Sequence, residues 1–188
     1  MEKRLYMLLL GCKPTNRLTE QHDVFFGIGS SLQDLIPQIL QFWPEAEGKI
    51  HIDAWRRVTS VNDYTIKVVP KDSSLKHTMQ PERLFFLNLG GYKAADFEEY
   101  HYKILSVATD KAQAIHEAKQ TAFFQHNASP HIDDKYGVDV DDIYEIDEIL
   151  SPSFKEQYQL QIRPSASKLE ADTIYPAYIK LSKIGDRA

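Results

Sequence analysis

The chain contains its own partial copy, and this constrains its fold more than any other feature. RLYMLLLG at Arg4 to Gly11 recurs as RLFFLNLG at Arg83 to Gly90. With an offset of 79, Arg4, Leu5, Leu8, Leu10, Gly11, Glu20, His22 and Ile36 fall on Arg83, Leu84, Leu87, Leu89, Gly90, Glu99, His101 and Ile115. One inserted residue moves the offset to 80, and His51-Ile52-Asp53 then falls on His131-Ile132-Asp133, with Val58, Tyr64 and Ile66 on Val138, Tyr144 and Ile146. Histidine is scarce here, so a match at any one His is roughly a 4% event, and two match in register. A unit of about 80 residues present twice is the expected architecture.

Each copy reads as strand, loop, strand, helix, strand, strand. Leu5 to Leu10 and Leu84 to Leu89 are short apolar runs ended by glycine, as suits central strands. Val24 to Ile28 and Lys103 to Val107 supply the second strands. Ser31 and Asp110 are candidate helix caps, each followed three residues on by Asp34 or Gln113. Leu32, Leu35, Ile36, Ile39, Leu40 and Trp43 make an apolar helical stripe, with Pro37 expected to kink the first turn or delay the helix to about Ile36. Ile115, Ala118, Ala122 and Phe123 make a thinner stripe, so the second helix is expected closer to its sheet. Strands near Ile50 to Val58 and Tyr64 to Val69, turning at Asn62-Asp63, complete the first copy, and Ile143 to Leu150 is expected to end the second. The reading is an α+β fold: a tandem duplication of a β-β-α-β-β unit forming one joined or two packed sheets, with a C-terminal β-hairpin from Tyr158 to Ile162 and Ile174 to Leu181. The divisions are 1–70, a linker at 71–82, 83–150, and 151–188 for the hairpin.

Composition removes several classes of function. The net charge of -5 gives no attraction to nucleic acid or to an anionic membrane. A single cysteine, Cys12, excludes an internal disulfide and fits a reducing compartment, so a soluble cytoplasmic protein is expected. Leu9-Leu10-Gly11-Cys12 after Lys3 and Arg4 looks like the end of a lipoprotein signal, but the apolar stretch is short and its copy lies inside the chain. A strand accounts for both.

The residues able to carry chemistry are the repeated polar ones. His51 and Asp53 stand two apart in an expected strand and share a face, and His131 with Asp133 repeats them. Imidazole and carboxylate so placed can ligate a divalent metal, or a carboxylate can orient an imidazole for acid-base work. Glu20 with His22, and Glu99 with His101, are the groups available to complete such a set. The plainer alternative is a half-buried histidine hydrogen-bonded by its aspartate. No Cys pair, His-Glu-x-x-His or Gly-x-Ser-x-Gly motif is present. The acidic run Asp133 to Glu148 fails as a calcium loop, since Ile143 and Tyr144 fall where a ligand and a glycine are needed, and it reads as a solvated edge. Gly27-Ile28-Gly29-Ser30-Ser31 lacks the lysine of a phosphate loop and reads as a helix cap. Cys12 aligns with Gly91, so the repeated unit requires no thiol.

The Leu-x-Leu-Gly strand ends, Glu20-x-His22 with Glu99-x-His101, and the two His-Ile-Asp triplets resemble a bacterial family known only as domain of unknown function 1543. The resemblance spans nearly the whole chain and implies the repeat architecture; it implies no activity, cofactor or partner. The first reading of function is a non-catalytic binding or protein-interaction module, homo-oligomeric or with an unidentified protein or small-molecule partner. The second is a metal-dependent or acid-base enzyme using the repeated histidines and aspartates. Spatial convergence separates them, because groups more than about 10 Å apart share no ligand shell.

Overall fold

The computed structural model describes residues 2–71, 80–92, 95–126 and 139–186. Its elements run β1 (Arg4–Cys12), β2 (Gln21–Gly29), α1 (Ile36–Phe42), β3 (His51–Arg57), β4 (Ser60–Val61), β5 (Tyr64–Pro70), β6 (Arg83–Tyr92), β7 (Glu99–Ala108), α2 (Lys111–His126), β8 (Asp139–Glu145), α3 (Ile146–Ile149), α4 (Pro152–Gln157), β9 (Tyr158–Pro164) and β10 (Tyr175–Lys180). They fall into two compact units, residues 1–74 with 150–188, and residues 75–149. The fold is α+β with antiparallel strand pairs throughout the described residues.

In the first unit a four-stranded sheet has the order β10-β3-β1-β2. Alternation along β1 turns Tyr6, Leu8, Leu10 and Cys12 into one core, where Leu35 and Ile39 meet them, with Leu32, Ile36 and Trp43 packed at its margin. The helical stripe thus forms as its spacing predicts, except that Leu40 stays 43% exposed. Pro37 sits in the first turn of α1, which begins at Ile36 after a 3-10 turn over Gln33–Leu35. Ser31 is not the helix cap expected of it: Leu32 precedes the 3-10 turn with no side-chain cap, and the Ser31 hydroxyl instead donates at 3.3 Å to Asp34, whose carboxylate also accepts from the Ser30 amide at 2.9 Å. The Ser30 amide is therefore already committed to a carboxylate, which would repel a phosphate there. A second, three-stranded sheet has the order β4-β5-β9, and Asn62 takes a φ of 53° in the expected turn.

The second unit is built on β7-β6-β8, the order of β2-β1-β3, with α2 following β7 as α1 follows β2. The pairing registers correspond: Arg4 meets Gly29 and Gly11 meets His22, while Arg83 meets Ala108 and Gly90 meets His101. Phe85, Leu87 and Leu89 face α2, whose contact residues include Ala114 and Ala118. Asp110 caps this helix, accepting from the Gln113 amide at 2.9 Å, and Gln113 Oε1 accepts in return from the Thr109 amide at 3.1 Å.

Two further expectations fail. The tail strands form no hairpin, since β9 pairs with β5 and β10 with β3, in different sheets. Both strands close sheet edges, but pairing with each other would leave those edges open. The segment between them is anchored at Asp172, whose carboxylate accepts from the Thr59 amide at 2.8 Å, the Ser60 amide at 3.1 Å and the Thr59 hydroxyl. In the second unit the expected closing strand to Leu150 ends at Glu145 and gives way to α3, while the strand expected before it falls outside the described residues. Asp147 and Glu148 lie in the first turn of α3, where acidic side chains suit a helix, and Ile146 is buried.

Candidate functional site

Gly11 is the centre of the arrangement in the first unit. It pairs with His22 on β2 and with His51 on β3, so the three residues form one row across the sheet. Cross-strand partners share a face, and this face is opposite the one covered by α1, because the neighbouring Leu10 and Ile52 point into the core beneath that helix. Register breaks between Leu9 and Leu10: Leu10 meets Ile52 and Leu9 meets Ala54, leaving Asp53 as the extra residue. A Cβ at Gly11 would collide with His51 Nε2 and lie 2.6 Å from Asp53 Oδ2. The side chain that glycine lacks is the space in which these groups meet.

Of the expected residues, His51 and Asp53 meet there, and Glu20 and His22 join them through contacts with His51 and Asp53 respectively. His51 Nε2 lies 2.7 Å from Glu20 Oε1 and 3.1 Å from Asp53 Oδ1, and His22 Nε2 lies 3.3 Å from Asp53 Oδ2. The His51 side chain is only 9% exposed, with the Tyr178 ring tilted over it at a centroid distance of 4.4 Å. Its Nε2 and Asp53 Oδ2 are buried without a hydrogen-bond partner, so the short approaches to the carboxylates are not aligned as N–H···O bonds. Donor atoms around one ion at about 2.0–2.2 Å are themselves separated by about 3.0–3.5 Å, and the three neighbouring pairs here lie near that spacing, although the four groups do not form a set whose donor atoms all lie within 4.8 Å of one another. Two imidazole nitrogens with two carboxylates suit a borderline divalent ion such as Zn2+, Mn2+ or Co2+. Tyr178 was not foreseen; it reaches His51 because the β10 register shifts between Pro176 and Ile179, and no local pattern marks that shift.

The second unit repeats the layout in part. Gly90 pairs with His101 and Asp139, and a register shift between Asn88 and Leu89 leaves Asp141 as the extra residue. His101 Nδ1 lies 3.2 Å from Asp141 Oδ2, and His101 Nε2 lies 3.8 Å from Glu99 Oε2. One donor atom from each of Glu99, His101 and Asp141 falls within 4.8 Å of the others, on side chains 34–42% exposed. Asn88 Nδ2 is 3.4 Å from His101 Nδ1. A Cβ at Gly90 would lie 2.5 Å from Asp141 Oδ2.

Strand pairing gives a second correspondence beside the match of His51-Ile52-Asp53 to His131-Ile132-Asp133. The residues that meet β6 where His51 and Ile52 meet β1 are Asp139 and Val140, followed by Asp141, an offset of 88. His131 and Asp133 lie outside the described residues. Asp141 was read only as part of an acidic edge, although Asp139-Val140-Asp141 has the polar-apolar-polar pattern of His51-Ile52-Asp53.

Residues 17–68 match the family model described as Domain of Unknown Function (DUF1543). The resemblance read in the sequence is supported over that segment. The DUF1543 match contains Glu20, His22, His51 and Asp53, whereas Gly11 and Tyr178 lie outside it. Among curated proteins none matches the chain. A solved structure with a similar fold is that of a protein Il1583 from Idiomarina loihiensis, with a TM-score of 0.62 and 20% identity, over 96% of this chain and 98% of that one. Neither description states an activity. No helix among the described residues is long and apolar enough to cross a membrane.

Proposed function

We propose that this protein is a metal-binding module, with one divalent transition-metal ion held in the first unit by His22, His51 and Asp53, and Glu20 as the fourth donor. The observation that carries this reading is the buried, unpartnered Nε2 of His51, 2.7 Å from Glu20 Oε1 and 3.1 Å from Asp53 Oδ1. A nitrogen so placed among carboxylates without hydrogen-bond alignment carries a desolvation cost that an ion would offset. The metal reading is favoured over an unspecified interaction module because groups separated in the sequence come into a chain of close contacts, Glu20 to His51 to Asp53 to His22, at 2.7–3.3 Å.

The corresponding β2-β1-β3 and β7-β6-β8 registers support an origin by tandem duplication. On that reading the second copy has a weaker site: the position opposite Gly90 is Asp139 where a histidine faces Gly11, and the remaining donors are exposed. The buried lone cysteine fits a reducing cytoplasm.

Titration of metal-free protein with Co2+, followed by visible absorption and calorimetry, tests the assignment. One tight ion per chain is expected, with a second site filled only at higher concentration. His51→Ala and Asp53→Asn should each abolish the tight phase while circular dichroism stays native, and Glu99→Gln should leave it intact. Absence of saturable binding, or a tight phase indifferent to His51 and Asp53, overturns the proposal.

A further inference from the structure

Beside His51 opens a pocket of about 510 Å³, the size of a small-molecule site, whose lining includes Lys13, Lys49, Lys180, Glu20, His51 and Tyr178. The three lysines come from three places in the chain: just after β1, just before β3, and the last residue of β10, which pairs with His51 itself. Their gathering is thus made by the tertiary fold and not by a local basic run. The chain as a whole carries a net charge of -5, yet this lining offers three ammonium groups against the single carboxylate of Glu20, which is turned to His51 at 2.7 Å. A concave wall of one sign concentrates counter-ions of the other. Lys49 also has Glu47 at 3.3 Å on the open surface, a contact that solvent screens and an anion can displace.

We infer that this pocket binds a small oxyanion, a molecule bearing a phosphate or carboxylate group, with its charged end between the lysines and one oxygen directed at the ion held by His51. The inference rests on the metal reading for that last contact alone. Tyr178, tilted over the imidazole, forms the wall against which the rest of such a molecule lies. Phosphate and carboxylate share this chemistry, and the probes below distinguish them.

The test uses the full chain loaded with Co2+, whose visible absorption reports metal occupancy independently of the anion. Methylphosphonate is followed by 31P relaxation and acetate by 1H relaxation. A saturable paramagnetic enhancement is expected for at least one probe, and the stronger response names the source. Lys49→Gln/Lys180→Gln should weaken that binding by roughly tenfold or more, the usual scale for loss of a charge-assisted contact, with the cobalt spectrum unchanged. If cobalt binds and neither probe responds, or the response survives in the double variant, the pocket inference fails while the metal reading stands. If cobalt does not bind, calorimetry of the metal-free protein decides: lysine-dependent phosphonate or acetate binding upholds the pocket without the ion, and no binding overturns it.

Discussion

Asp53 Oδ2 lies 3.3 Å from His22 Nε2, although thirty residues of chain and a helix separate the two. The register shift in β3 sets this distance, because it makes Asp53 the extra residue beside the Gly11 row. Asp141 and His101 repeat the relationship at 3.2 Å. The two units differ in what surrounds the pair, and that difference leads to the first prediction.

Gly11→Ala should be far more damaging than Gly90→Ala. The new Cβ at Gly11 meets a buried imidazole capped by Tyr178, whereas at Gly90 it meets the half-exposed end of Asp141, which can swing away. Overpacking of this kind costs about 1–3 kcal/mol, so urea unfolding should show a loss in that range for Gly11→Ala and a smaller one for Gly90→Ala. Metal affinity should fall only in the first variant. Equal effects at both glycines would show that the space beside Gly11 has no special role.

Asp34 links stability to pH. The Ser30 amide and then the Lys3 ammonium hold its carboxyl below the ordinary carboxylate value. Its contribution is therefore full above the unfolded-state value and is lost as pH falls through the lower folded-state value. Asp34→Ala should lose about 1 kcal/mol at pH 7, the usual scale for one side-chain hydrogen bond, and the gap to the parent protein should narrow in acid. Urea midpoints measured from pH 7 downward check this; a gap that widens in acid would have the wrong sign.

Asp172 ties the tail to the turn after β3 through two amides and a hydroxyl. Removing the carboxylate leaves those donors to water, and Asp172→Ala should cost roughly 1–3 kcal/mol. Because β10 carries Tyr178, the same variant should loosen the ring over His51, seen as a change in His51 imidazole NMR shifts. An unchanged midpoint would remove Asp172 as an anchor.

Cys12 should be chemically quiet. Its thiol is pushed up chiefly by desolvation, and Sγ is buried with the Ala46 carbonyl at 3.9 Å. Reaction with an aromatic disulfide reagent at pH 8 should be at least about tenfold slower in the folded protein than in urea, since only the thiolate reacts and it must first reach solvent. Comparable rates in both states would contradict the burial.

Much of the fold was legible because it follows from local periodicity. Apolar runs ended by Gly11 and Gly90 became the central strands, the stripe from Leu32 to Trp43 became the helix packed on the sheet, and Pro37 set where that helix begins. Glu20, His22, His51 and Asp53 were legible as candidates because the pattern recurs. Asp141 and Tyr178 were not. Each depends on a register shift, in β8 against β6 and in β10 against β3, and register is fixed by which face must be buried against a distant strand.

The sequence by itself determined the central strands, the helices after β2 and β7 and the residue types available for chemistry, since these depend on spacing within a few residues. Only the tertiary structure decided that β9 and β10 part to close separate sheet edges, and that the second unit meets Gly90 with Asp139 and Asp141. It also decided that the Glu20-x-His22 and His51-x-Asp53 pairs come into contact beside the space left by Gly11. These outcomes are set by hydrogen-bond pairing between segments far apart in the chain, where sliding a strand by one residue exchanges its two faces.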